Sequence, residues 1–218
     1  MTYTPSLRHN CAVAQSTERI GILGGSFNPI HLGHLVVAQE AWWRYRLGVV
    51  QFVPCAHNPL KEDPRRYAAD PDRLALLRLA LRGDPRFGID EWELSRGGLS
   101  YTVDTLRHYR KLHPAGALYL LAGADAVADL PRWREIEAYP ELCTLLVYDR
   151  PGHPSLAAGL PPEVEALGLN YAYLPVPQYD VSSTGIRERV RAGQPVEYLV
   201  PGLVADYIKD HRLYRETA

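Results

Sequence analysis

The sequence predicts an α/β fold built on a doubly wound parallel sheet. Short runs with strand character alternate with stretches of ten to fifteen residues whose apolar residues recur at helical spacing. Most of the runs are closed by Gly, Pro or Asp, as strands and helices in such a fold usually are. The last stretch, from about residue 183, carries helical spacing and no further strand pattern.

The elements follow in order. IGILGG (20–25) is a compact apolar run ending in glycines, which predicts a buried strand. LGHLVVAQEAWWRYRLG (32–48) has helical spacing and a closing Gly48. VVQFVP (49–54) is β-branched and aromatic and reads as the second strand. In DPDRLALLRLALRGDP (70–85), Asp70 can cap, Pro71 suits the first turn and Gly83 stops the helix. RFGID (86–90) predicts a strand, YTVDTLRHYRKLHP (101–114) a helix ended by Pro114, and ALYLLAG (117–123) a buried strand. CTLLVYD (143–149) and YAYLPV (171–176) complete the strands. Helices follow from Ser183, with breaks at Gly193 and Pro201. Segments 54–70 and 150–170 are rich in Pro and Gly and read as long loops. The order describes a Rossmann-like doubly wound sheet flanked by helices, with a helical C-terminal portion. Ligands of such sheets bind beyond the carboxyl ends of the strands, where the strand order reverses.

Composition excludes several classes of function. The chain of 218 residues is 46% hydrophobic and 22% charged, with a net charge of −1. No overall field attracts nucleic acid or an anionic membrane, so neither is expected as a partner. Cys11, Cys55 and Cys143 are odd in number and widely spaced, which fits reduced thiols in a cytoplasmic protein. No apolar run approaches the ~20 residues that span a bilayer. Residues 1–17 lack the apolar stretch of a signal peptide and read as a loose extension, with a single domain over 18–218.

GGSFNPIHLGH (24–34) joins the first strand to the first helix. No Gly-Lys-Ser/Thr follows, so it is not a P-loop, and it lacks the Gly-x-Gly-x-x-Gly of dinucleotide folds. Its position is nevertheless that of a phosphate site, because a helix N-terminus offers free N–H groups and a positive dipole end. Gly24 and Gly25 allow close approach of a bulky anion. His31 and His34 share a face of the first turn, with Gly33 leaving room beside the rings. Their imidazoles can hydrogen-bond phosphate oxygens. Two histidines make an incomplete zinc set, and zinc pairs on a helix more often sit four apart, so no protein-held metal is expected.

The segment matches the Gly-x-Phe-x-Pro-x-His-x-Gly-His signature of adenylyl- and cytidylyltransferases through Gly25, Phe27, Pro29, His31, Gly33 and His34. GGLSYTVDTL, LAGADAVADLPRW, YDRPG, VSSTGIRERV and YLVPGLVADYIKDHRLY extend the match. Together they resemble the bacterial nicotinate-mononucleotide adenylyltransferases from about Gly21 to Tyr214. The resemblance implies transfer of the adenylyl group of ATP to nicotinate mononucleotide, giving nicotinate adenine dinucleotide and pyrophosphate. The mononucleotide phosphate would attack directly, with no covalent enzyme intermediate and with Mg²⁺ bound mainly through ATP phosphates. These two small molecules are the expected partners, and the sequence is silent on oligomeric state.

The resemblance also implies site residues. His31 and His34 would contact the ATP phosphates as catalytic donors, alongside Gly24, Gly25, Ser26 and Phe27. Ser182, Ser183, Thr184 and Arg187 would hold the distal phosphates; for the hydroxyls the alternative is simple helix capping. Lys61 would reach phosphate from a loop where relatives often have Pro-Pro-His-Lys and this chain has Asn58-Pro59-Leu60-Lys61. Gly123 and Asp125 would lie at the adenosine ribose, or Asp125 would cap the next helix. Tyr101 and Thr102 would take the nicotinate carboxylate at a helix N-terminus, or cap that helix. Trp133 would stack on the nicotinate ring, or belong to the core. Competing functions are an enzyme using the amide mononucleotide or both, and a non-catalytic nucleotide-binding module on the same fold.

Overall fold

The computed structural model describes residues 16–59 and 68–215. Six parallel strands form one sheet: β1 (Ser16–Gly25), β2 (Leu47–Pro54), β3 (Phe87–Ile89), β4 (Ala117–Gly123), β5 (Thr144–Tyr148) and β6 (Tyr171–Tyr173). Their order is β3-β2-β1-β4-β5-β6, so the direction of winding reverses between β1 and β4. The helices are α1 (Leu32–Arg44), α2 (Asp70–Ala80), α3 (Trp92–Arg96), α4 (Thr102–Leu112), α5 (Ala124–Asp129), α6 (Tyr139–Leu142), α7 (Pro162–Glu165), α8 (Ser183–Arg191) and α9 (Gly202–Asp210).

Alternate strand residues feed two cores, as the pleat requires. Ile20 and Ile22 of β1, Leu118 and Leu120 of β4, and Leu145 and Val147 of β5 pack with Val103 and Leu106 of α4. On the other face Leu23, Leu121 and Leu146 pack with Val37 and Ala41 of α1, Leu76 and Leu77 of α2, and Ile186, Val204 and Ile208 of α8 and α9. The C-terminal helices therefore cover the α1 face and belong to the same body. No described helix is long and apolar enough to cross a membrane. Cys55 and Cys143 are both buried, and burial pushes the Cys143 thiol up to about 12.

Every predicted strand is present, and the differences lie at the ends. The first helix stops at Arg44, and Gly48 belongs to β2 instead of closing it. Arg46 makes the turn in left-handed backbone (φ 49°), and Leu47 is wholly buried in the ladder opposite Ser16. Tertiary burial of Leu47 outweighs the local helical spacing. The second helix ends at Ala80, before Gly83 turns the chain at φ 78°. Segment 150–170 is not all loop, because α7 interrupts it. The first strand begins at Ser16, four residues ahead of the expected run at 20–25 and two ahead of the expected domain boundary at 18.

Candidate active site

The loop between β1 and α1 lies at the switch point. The β1–β2 ladder ends at Gly25 opposite Pro54, and the chain then leaves the sheet. A Cβ on Gly24 would meet nothing within 4 Å, so this position borders open space, as a ligand cradle needs. Ser26, Phe27, Asn28 and Ile30 are buried. Phe27 adopts left-handed backbone (φ 45°), rare for a bulky residue, and its ring is locked against Phe52 at 5.6 Å. Its side chain is therefore core, and only its backbone can meet a ligand.

The carbonyl side of this loop is tied from behind. Arg73 donates to the Ser26 oxygen at 2.7 Å, Arg187 to the Asn28 oxygen at 2.8 Å, and the Ser183 hydroxyl to the Pro29 oxygen at 2.8 Å. The Asn28 side chain accepts from the Ala68 N–H at 3.0 Å. Acceptors turned into the protein leave donors for an incoming anion, without reorganisation on binding. One expectation needs correction. The first N–H groups of α1 are not all free, since Leu32 donates to the Leu199 oxygen at 3.0 Å and His34 to the His31 oxygen at 3.0 Å. Among the described residues, Gly33 keeps an unengaged N–H in that turn.

The two histidines have distinct settings. His31 is 3% exposed, and burial, reinforced by the nearby Arg150 cation, lowers its pKa from 6.5 to about 3. It is a neutral imidazole at physiological pH. Its Nδ1 is buried with no partner among the described residues, and a Cβ on Gly33 would come within 3.0 Å of it. Gly33 thus keeps this nitrogen uncovered, as expected from the sequence. The His31 backbone N–H donates to His34 Nδ1 at 3.2 Å, which makes Nδ1 an acceptor and places the proton on Nε2. The rings stack at 3.7 Å, and Phe27 meets His34 edge-on at 5.1 Å.

Across the switch point, Gly123 is the N-cap of α5, so Asp125 does not cap this helix. Asp125 instead accepts from Arg150 at 2.8 Å. A Cβ on Gly123 would stand 2.7 Å from Asp125 Oδ1 and 2.8 Å from Arg150 Cδ. Gly123 has an ordinary backbone (φ −74°, ψ 161°), so Ala brings no backbone strain there. We therefore expect Gly123→Ala to leave the melting temperature nearly unchanged and to raise the KM for ATP at least ~10-fold, by displacing the ion pair. An unaltered KM in steady-state assays would remove this pair from the nucleotide site.

Arg150 was missed as a site residue, although it lies in YDRPG. The available signal was its place just after a strand, at the carboxyl edge of the sheet. Its loop is held by Asp149, which accepts from the Leu156 N–H, Ser155 and Tyr173.

The remaining residues form two groups. Ser182 is the N-cap of α8 and accepts from the Gly185 N–H at 3.1 Å, while Thr184 accepts from Arg187 at 3.2 Å. Ser183 and Arg187 anchor the histidine loop, so this motif is brought to the same site. Tyr101 is the N-cap of α4, and Arg134 lies over its ring at 4.7 Å. Trp133 is half-buried beside Tyr139 at 5.9 Å, and Tyr139 shares a hydrogen bond with Thr102. Tyr101, Thr102 and Trp133 thus converge on one cluster. The Thr102 and Val103 N–H groups carry no partner among the described residues. Lys61, with Leu60, lies outside the described residues.

A switch-point loop with two stacked imidazoles, closed by a capped Ser-Ser-Thr helix, defines a nucleotidyltransferase. The cytidylyltransferase-like family matches residues 22–189. The chain belongs to the nicotinate-nucleotide adenylyltransferases within it. It is 44% identical over 197 residues to a probable nicotinate-nucleotide adenylyltransferase of Thermus thermophilus, covering 90% of this chain and 100% of that one. It is also 44% identical over 207 residues to one so named from a Roseiflexus species, covering 92% and 100%. The fold is similar to that of Plasmodium falciparum nicotinic acid mononucleotide adenylyltransferase complexed with NaAD, at TM-score 0.75 and 19% identity over 90% of this chain and 97% of that one.

Proposed function

We propose that the protein joins nicotinate mononucleotide to the adenylyl group of ATP, releasing pyrophosphate, in the biosynthesis of NAD. The observation that carries this reading is the loop of residues 24–34, whose acceptors are tied back and whose two imidazoles stack side by side. An oxygen of the mononucleotide phosphate forms a bond to the ATP α-phosphorus, and the bond to the bridging oxygen of pyrophosphate breaks. The attacking phosphate is already ionised at neutral pH, so no strong base is required. The work is positioning and stabilisation of charge.

In this reading the His34 Nε2–H and the buried His31 ring donate to the oxygens of the transferring group. Arg150 adds a fixed positive charge beside them. Ser182, Ser183, Thr184 and the α8 N-terminus receive the distal phosphates, with Lys61 as a further cation for them. Gly123 and Asp125 flank the adenosine ribose. The open N–H groups at the start of α4 suit the nicotinate carboxylate, with Tyr101 and Thr102 beside it and Trp133 as the stacking surface. An amide there would set its NH₂ against those donors, which favours the acid.

Among the described residues no three His, Cys, Asp or Glu side chains cluster as metal ligands. This donor-rich loop fits magnesium held by ATP phosphates and water rather than by the chain. Magnesium, when bound, neutralises charge on the departing pyrophosphate.

The test is pyrophosphate release from ATP and Mg²⁺ with each pyridine mononucleotide in turn. The acid should be the better acceptor by at least ~10-fold in kcat/KM. No release with either would overturn the reading and favour a nucleotide-binding module. Equal kcat/KM for acid and amide would remove the carboxylate argument alone.

A further inference from the structure

Arg73 occupies a position where helical spacing calls for an apolar residue. Its neighbours in the buried stripe of α2 are Leu76 and Leu77, and the arginine itself is 1% exposed. Its fork reaches the carboxyl edge of the sheet. One terminal nitrogen donates to the Ser26 oxygen at 2.7 Å, and the other to the Cys55 oxygen at 2.8 Å and to Asp70 at 2.6 Å. Ser26 and Cys55 are the first residues beyond β1 and β2, just past the last ladder pair, Gly25 and Pro54. The Cys55 N–H donates to the Gly25 oxygen at 2.9 Å, so one planar group ties both chains as they leave the sheet. The first of these runs on to His31 and His34.

Stability alone gives a poor account of this placement. The charge is buried, its Nε has no partner among the described residues, and the Asp70 side chain opposite is 54% exposed. An apolar side chain of similar volume would pack there without the desolvation cost. What it could not do is hold two carbonyls at fixed directions.

We propose that Arg73 is a positioning residue for adenylyl transfer, setting the exit direction of the histidine loop against that of the loop after β2. Arg73 meets no substrate in this account; it acts through Ser26 and Cys55. The inference rests on the proposed reaction, and wild-type pyrophosphate release is measured first so that the two can fail separately.

The test compares Arg73→Met with Leu77→Ala, a core change on the same helix face. Both are assayed for pyrophosphate release at saturating ATP and nicotinate mononucleotide, well below their melting temperatures. Arg73→Met is expected to lower kcat about 30-fold, because small displacements of reacting groups carry large rate losses. Leu77→Ala is expected to melt earlier and to keep kcat within about threefold. A kcat for Arg73→Met within fivefold of wild type overturns the proposal, as does an equal fall in Leu77→Ala. Should Arg73→Met fail to fold, Arg73→Gln, which keeps a donor but no fork, is judged by the same fivefold line and the same control.

Discussion

Replacing His34 with Ala should lower kcat by at least ~100-fold while the protein stays folded. That is the scale of losing one donor aimed at a transition state. The geometry explains why the loss is specific. His34 Nδ1 accepts the His31 backbone N–H, so the imidazole is held in one tautomer with its proton on Nε2. Alanine removes this donor and leaves one N–H at the start of α1 without that partner. Loss of such a cap costs about 1 kcal/mol, too little to unfold a domain of this size. The measurement is kcat at saturating substrates, with a thermal melt of the same preparation. A rate within tenfold of wild type would show that Nε2–H does not serve the transition state.

The second large effect concerns stability and pH. His31 is held neutral by burial first and by the Arg150 cation second, with its pKa lowered to about 3. The unfolded chain returns it to the ordinary 6.5. The folded state therefore resists the proton that the unfolded state accepts. The stabilising effect is complete above pH 6.5 and is lost progressively as pH falls toward 3, at about 1.4 kcal/mol per unit. By pH 4 the cost is roughly 3 kcal/mol. His31→Gln lacks the titrating group, so its urea-unfolding free energy should decline less between pH 6.5 and 4, by about that amount. Parallel curves for the two proteins would contradict a neutral buried imidazole. The same setting means that His31 contributes no change in activity between pH 6.5 and 8.

Much of this was legible in the sequence because the strongest signals are local. A parallel strand buried on both faces reads as an apolar run, as in IGILGG and ALYLLAG, while the half-buried edge strands β3 and β6 are legible only from their place between helical stretches. The histidine loop was legible because glycine, proline and histidine have few other reasons to share eleven residues. Less legible were the short helices α3, α5, α6 and α7, whose few residues carry too little periodicity. The roles of Arg73 and Arg150 were hidden for another reason. A sequence shows a charge but not its burial, and Arg73 among leucines reads as a solvated side chain. Arg187 was expected at phosphate, and the structure places one of its nitrogens on the Asn28 oxygen. Such pairings join residues far apart in the chain, and spacing gives no hint of them.

Three contacts that shape the histidine loop come from the last part of the chain: the Ser183 hydroxyl, the Arg187 guanidinium and the Leu199 oxygen. A ribosome releases His31 long before it releases these. The nascent chain can pair β1 with β2 early, yet its loop lacks these three supports until the C-terminal segment through Leu199 docks. Nucleotide offered to a half-made chain would find no finished cradle. Catalytic competence then arrives with the closing steps of translation, and a chain cut short before Ser183 carries both histidines but not the groups that aim them.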